Sequence, residues 1–365
     1  MKAKNNIYSS MGKYKKILIT GGSGFIGGNL IAKILKKTNC EIFNIDKMSY
    51  ASDDTIINKS INEKNNHRYS LFKIDLNDAK SINDAVKDIQ PNLVMHLAAE
   101  SHVDRSIDNP KVFIESNIIG TFNLLQSCLS YYKSELLINK DDFRFHHIST
   151  DEVFGSLGNS GTFSEDSAYD PRSPYSSSKA ASDHLVRAWD HTYKLPTLIT
   201  NCSNNYGPYQ FPEKLIPISI LKLLNGEEVP IYGDGLHIRD WLFVDDHINA
   251  LLMVAARGRI SETYCIGGHG EITNKDIIYE ICKIMDKFNK KNAPHSNLIS
   301  FVEDRPGHDR RYAINPQKIK EELGWRVEKN FSENLETTVR WYLENTDWCK
   351  KVLNNKELMR KGLMK

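Results

Sequence analysis

Four side chains in this sequence carry the chemistry of proton transfer, and they form two pairs. Tyr175 and Lys179 are four residues apart at the start of a helix expected over 175–193, so both project from one face. An ammonium there favours tyrosinate and makes Tyr175 a usable base. The spacing alone is weak, because Tyr69–Lys73 and Tyr279–Lys283 repeat it. The first repeat falls on an expected strand, where side chains four apart stand far from each other, and the second lies far along the chain from the glycine loop. The second pair is Asp151-Glu152, preceded by Thr150 at the carboxyl end of an expected strand (143–149). Open α/β sheets bind ligands at that edge. Two adjacent carboxyls cannot both ionise cheaply in a dry site, so one serves as acid and its neighbour as base, which suits elimination of water. Successive strand residues point to opposite faces, so both acids reach one substrate only if the backbone turns here. The competing reading is a pair of acids capping the following segment.

A third group is a phosphate cradle. Gly21-Gly22-Ser23-Gly24-Phe25-Ile26-Gly27 follows the first expected strand and opens the first helix. Glycines allow a tight turn and bring helix N-terminal N–H groups against a pyrophosphate. Asp46 ends the second strand, where a carboxylate accepts ribose hydroxyls and repels a 2′-phosphate, which favours NAD over NADP. Lys47 beside it works against that preference. Asp75-Leu76 after the third strand reaches an adenine edge or caps a helix. Leu97-Ala98-Ala99-Glu100-Ser101 ends the fourth strand with small residues that let a dinucleotide lie close, or that simply pack.

The elements that must hold these groups alternate. KKILIT (15–20), EIFNID (41–46), YSLFKI (69–74), LVMHLA (93–98), FRFHHIS (143–149) and TLITNC (197–202) read as strands, with helices near 25–37, 78–89, 110–132 and 175–193. Parallel strands joined through helices answer that alternation, so the fold class is α/β, a Rossmann-like doubly wound sheet. Segments 205–217 and 229–241 read as loops over the sheet. Helical pieces near 214–225, 245–257, 274–288 and 332–345 make a smaller C-terminal cap. The division is a mobile tail at 1–13, a dinucleotide-binding domain at 14–204 with 240–268 packing back onto it, a substrate domain at 205–239 and 269–350, and a tail at 351–365.

Composition narrows the partners. At 365 residues, with 40% hydrophobic and 26% charged residues, the chain buries a real core and is not disordered. The 48 basic and 46 acidic residues nearly cancel, which gives nucleic acid no electrostatic reason to bind. Six cysteines without a CxxC pair, and histidines without ligand spacing (His146-His147, His184, His191), predict no metal site and a reducing compartment. The polar, basic start has no signal-like apolar stretch and no segment suits a membrane, so a cytoplasmic location is expected.

GGSGFIGGNL (21–30), HLAAESHVDRSIDNP (96–110), HHISTDEVFGSLG (146–158), SPYSSSKAASDHLVRAW (173–189), NCSNNYGPYQFPEKLIP (201–217), YGDGLHIRDWLFVDDH (232–247) and DRPGHDRRYAINP (304–316) together resemble the extended short-chain dehydrogenase/reductase superfamily, and within it the nucleotide-sugar 4,6-dehydratases. The resemblance implies tightly held NAD and dTDP-glucose as substrate, with UDP-glucose dehydration, an epimerase or a non-catalytic NAD-binding regulator as rivals. It implies that Tyr175 with Lys179 deprotonates the C4 hydroxyl, Glu152 removes the C5 proton, Asp151 protonates the departing C6 hydroxyl, and Thr150 bonds near the C4 oxygen. It places Ser101, Asn204, Lys214, Leu215, Pro230, Tyr232, Arg239, Arg305 and His308 around the substrate. Asn205, Ser49 and Ser116 join the cofactor contacts. Cys265 stands where the family usually has Asn, which removes an amide from a substrate contact. Helices near 110–132 and 175–193 form a homodimer interface by superfamily habit.

Overall fold

The computed structural model describes residues 2–134, 140–304 and 307–353. Helix α1 spans Lys2–Met11 and is followed by β1 (Lys16–Thr20), α2 (Phe25–Lys37), β2 (Glu41–Ile45), α3 (Thr55–Ser60), β3 (Tyr69–Phe72), α4 (Ala79–Ile89) and β4 (Leu93–His96). Next come α5 (Val103–Asp108), α6 (Pro110–Phe113), α7 (Gly120–Lys133), β5 (Arg144–Thr150), α8 (Pro174–Tyr193) and β6 (Thr197–Cys202). With β10 (Thr263–Ile266) these strands form a seven-stranded parallel sheet in the order β10-β6-β5-β4-β1-β2-β3. The order reverses between β1 and β4, which opens a crevice at their carboxyl ends.

Both faces of the sheet are covered, so its strands are continuous apolar runs. Alternation sends Ile17 and Ile19 of β1 toward α2 and Leu18 toward α4, α7 and α8. The long segment expected as one helix over 110–132 is broken by a π turn at Ile114–Ile119 between α6 and α7. The α8 helix starts on a capping box between Ser173 and Ser176 with Pro174 in its first turn, which fixes where Tyr175 and Lys179 emerge.

The second lobe is built on β7 (Asn204–Tyr206), α9 (Leu215–Asn225), β8 (Val229–Tyr232), β9 (Ile238–Phe243), β11 (Glu271–Thr273), α11 (Asn274–Phe288), β12 (Ile299–Val302), α13 (Phe331–Glu344) and α14 (Thr346–Leu353). Segments expected as loops at 205–217 and 229–241 thus contain strands, paired as β11-β9-β7 and β12-β8. Between these elements the chain returns to the first lobe. It comes back for α10 (Val244–Arg257) and β10, and again for α12 (Gln317–Leu323), whose Ile319 and the following Trp325 join the core around β1. The α12 segment therefore leaves the substrate domain assigned to it.

Both assigned tails need correction. Residues 2–11 form a helix whose Ile7 and Met11 are buried against α10. Tyr14 then donates its hydroxyl to Ala255 O at 2.7 Å and Lys13 its ammonium to Ala256 O at 3.0 Å, which satisfies carbonyls at the end of α10. At the other terminus α14 runs through 351–353 with Val352 buried, while 354–365 lie outside the described residues.

Candidate active site

The turn between β1 and α2 shows what the glycines are for. Gly21 has φ +71°, and a Cβ there would sit 2.7 Å from the Ala98 backbone. A Cβ on Gly27 would overlap the carbonyl of Gly21. No side chain caps the start of α2 and its first turn carries no acid, so its leading N–H groups are left for an outside anion. Gly21, Gly24, Phe25, Ile26 and Gly27 line a cleft of about 330 Å³ at the carboxyl edge of the sheet. This cradle fits a dinucleotide pyrophosphate.

The same cleft takes in the other expected cofactor residues Asp46, Lys47, Ser49, Asp75, Leu76, Leu97, Ala98, Ala99, Ser116 and Asn205. Asp46 accepts from Ser23 N at 3.0 Å and Met48 N at 2.8 Å, and burial raises its carboxyl above the ordinary range. Lys47 pairs with Glu100 at 2.8 Å and donates to Ser116 at 2.9 Å, so its charge is already matched by a carboxylate. The objection it raised to NAD is thereby removed. Asp75 bonds the N–H of Asn77 while Asp78 caps α4, so Asp75 is not that helix's cap.

The acid pair resolves its own geometric objection. The strand ends at Thr150 and the chain tightens into a 3₁₀ turn over Asp151–Phe154, with Thr150 accepting from Glu152 N at 3.3 Å. Adjacent side chains then diverge by about a third of a circle instead of a half, and both Asp151 and Glu152 line the cleft. Asp151 is almost fully buried, and its carboxyl is pushed well above the usual range by burial, then by Glu152 and Asp240, against the opposing pull of Arg239. Thr150 donates to its Oδ1 at 3.3 Å, and Oδ2 has no partner among the described residues. The surroundings of Asp151 therefore favour its protonated form.

Tyr175 and Lys179 line the same cleft. Burial, then Glu152, raises the Tyr175 hydroxyl above its ordinary range, against a hydrogen bond with Thr150 that favours ionisation. Lys179 is buried and donates to Ile148 O at 3.0 Å. Burial lowers its pKa and the Asp183 charge opposes that. His146 and His147 are buried beneath, bonded to Thr200 and Asp183, with burial pushing them down to about 3 and about 4.

Of the expected substrate residues, Ser101, Thr150, Asn204 and Lys214 line the cleft. Lys214 donates to Ser101 O at 2.9 Å, and Asn204 Oδ1 is buried without a partner among the described residues. Leu215, Pro230, Tyr232, Arg239 and His308 are not part of its lining. Arg239 lies 4.3 Å from the Tyr312 ring, and His308 stacks on His237 at 3.6 Å while sharing Asp304 with it. Cys265 is a correction: it is wholly buried on β10 among Phe154, Phe163, Tyr312 and Ile314, with its N–H given to Glu165, so its thiol faces an apolar cluster. Arg305 lies outside the described residues. The motifs missed the rim, where Tyr50 donates to Glu213 at 2.9 Å, Arg105 donates to the other Glu213 oxygen at 3.3 Å, and Arg105 lies 3.8 Å from the Tyr50 ring. Its signal was Glu213 directly before Lys214.

The family model described as GDP-mannose 4,6 dehydratase matches residues 18–338. A dTDP-glucose 4,6-dehydratase of Salmonella typhimurium is 52% identical over 346 residues, covering 92% of this chain and 95% of that one. The dTDP-glucose 4,6-dehydratase 1 of Escherichia coli K12 is 49% identical at the same coverage. Among solved structures, the dTDP-glucose 4,6-dehydratase DesIV of Streptomyces venezuelae, with NAD and TYD bound, is 38% identical with a TM-score of 0.83 over 92% of this chain and 99% of that one. The UDP-glucose 4-epimerase of Thermotoga maritima shares the fold at 25% identity and a TM-score of 0.78, over 91% of this chain and 99% of that one. Identity near one half along almost the whole length, joined to an acid pair set beside Tyr175 and Lys179, places this chain in the dTDP-glucose 4,6-dehydratase family.

Proposed function

We propose that the protein converts dTDP-glucose to dTDP-4-keto-6-deoxyglucose and water. NAD would be held by Gly21, Gly24 and Gly27 with Asp46, and would supply a reversible two-electron acceptor for the hydrogen that leaves C4 and ends on C6. Tyr175, starting as the tyrosinate that the Lys179 ammonium one turn away favours, receives the C4 hydroxyl proton. Once C4 is a ketone the C5 proton is acidic, and Glu152 removes it. Asp151 gives its proton to the C6 hydroxyl, which departs as water. Glu152 then returns a proton to C5, and the one gathered by Tyr175 replaces the one given up by Asp151, so the reaction balances as loss of one water. Thr150 holds the C4 oxygen.

The observation that carries this reading is the buried Asp151 next to Glu152 in one cleft with Tyr175 and Lys179, in surroundings that favour its protonated form. An epimerase needs no acid to expel water, and a non-catalytic NAD-binding protein needs no acid/base set. Lys214, Asn204 and Ser101 support a nucleotide diphosphate partner by their donors at the cleft. A homodimer is supported by exposed Ile107, Ile114, Ile119, Phe122 and Tyr193 on α5 through α8. A cytoplasmic site of action is supported by six cysteines that are all unpaired and buried.

The test is purified protein with dTDP-glucose, UDP-glucose or GDP-mannose, with and without added NAD. Deuterium placed at C4 of dTDP-glucose is expected at C6 of the product. Absence of any 4-keto-6-deoxy product from folded, NAD-supplied protein overturns the assignment, and label lost to solvent overturns the internal transfer.

A further inference from the structure

Asp183 has no part in the reaction just described, yet it lies one turn beyond Lys179 on α8 and is completely buried. Three elements hold it. Its Oδ1 accepts from His147 Nε2 on β5 at 3.1 Å. Its Oδ2 accepts from the Tyr169 hydroxyl at 2.8 Å and from the Asn201 amide on β6 at 3.1 Å. Asn201 Nδ2 also donates to Thr150 O at 3.0 Å, the point where the strand gives way to the turn bearing the acid pair. Arg187 donates to the Tyr169 hydroxyl at 2.9 Å and closes the network.

A carboxylate this deep needs positive charge nearby. The charged and titratable groups facing it are Lys179 and Arg187 on its own helix, His147 on β5 and Tyr169 on the approach to α8. Those facing Lys179 from the other elements are Cys202 on β6 and His96 and His147 on β4 and β5. Burial keeps His147 neutral and pushes the Cys202 thiol up to about 12, so neither supplies a charge near neutrality. Lys179, whose ammonium is on Ile148 O, stands one turn before Asp183 on the same face of α8 with both side chains buried, while Arg187 reaches Asp183 through the Tyr169 hydroxyl, so Asp183 is the carboxylate that balances the buried Lys179 charge. We propose that Asp183 is a positioning residue for the reaction: it is the fixed counter-charge of the Lys179 ammonium, and through Asn201 it anchors the strand end that presents Thr150, Asp151 and Glu152.

This inference rests on the reading of Tyr175 and Lys179 as the pair that opens C4 oxidation. Burial opposes the Lys179 charge and Asp183 upholds it. Take Asp183 away and Lys179 gives up its proton more readily, Tyr175 loses the cation that favours its ionised form, and the rise of rate with pH moves upward.

Asp183→Asn keeps the shape. Its amide oxygen still accepts from Tyr169 and Asn201, and its NH₂ meets His147, whose ring can accept at Nε2 by carrying its proton on Nδ1, an atom without a partner among the described residues. The measurements are kcat and KM for dTDP-glucose across pH, NADH absorbance in a single turnover, retained NAD, and a thermal melt. For D183N we expect KM within about twofold, kcat at neutral pH lower by about tenfold or more, slowed NADH formation, and an acid limb displaced upward by about one pH unit. Tyr169→Phe removes one hydrogen bond and keeps the charge, so its pH profile should match the wild type.

A folded D183N with the wild-type profile and rate overturns the proposal, as does Y169F shifting the profile as far as D183N. If D183N does not fold, Asn201→Ala decides: it must lower kcat by about tenfold with the profile unmoved, and an unchanged kcat or a displaced profile overturns the proposal. Product formation by the wild type, measured alongside, separates failure of this inference from failure of the assigned reaction.

Discussion

Asp151 and Glu152 are neighbours in the chain, and burial, then the Glu152 charge, pushes the Asp151 carboxyl well above the usual range. In the proposed reaction Glu152 is the group that takes the proton from C5. Glu152→Gln should lower product formation by about 10²-fold or more while a single turnover still shows NADH absorbance; product at the wild-type rate would mean that the base lies elsewhere. These two acids were legible because they adjoin in sequence. Asp183 was not, because the Tyr-Lys pattern ends at Lys179 and the meaning of the next turn depends on what β5 and β6 bring against it. Cys265 was misplaced because a likeness of neighbouring letters does not say which way a strand residue points, and β10 turns this one into an apolar cluster.

Among the elements, the glycine turn and the helices α2, α4 and α8 were readable since each has its own periodicity and punctuation. The α1 helix was not. Its polar sequence offers only Ile7 and Met11 as an apolar pair, and it is stable because α10 receives them. Met11→Ala should therefore cost about 2–5 kcal/mol, read as a lowered Tm with kcat for dTDP-glucose unchanged. A melt unaffected by M11A would show that the contact with α10 contributes nothing. The short strands β7, β8, β9, β11 and β12 were hidden for the opposite reason: runs of three to six residues among Gly and Pro carry little signal until a partner strand supplies the ladder.

At the scale of the whole molecule, the exposed apolar residues on α5, the π turn, α7 and the end of α8 form one side of the first lobe. Covering that side with a second copy removes it from water, and a charge there should prevent it. Phe122→Asp with Ile114→Asp is expected to sediment as a monomer where the parent sediments as a dimer, and a monomeric parent at micromolar concentration would rule the interface out. The two lobes are also sewn together. The chain leaves the first lobe after β6, returns for α10 and β10, and returns once more for α12, while Trp348 on the last described helix bonds Asp53 at 2.8 Å. No uninterrupted stretch of the sequence therefore makes up either lobe, so the second lobe cannot be exchanged between enzymes as a single cassette. New sugar preferences in such an architecture have to arise by substitution in place.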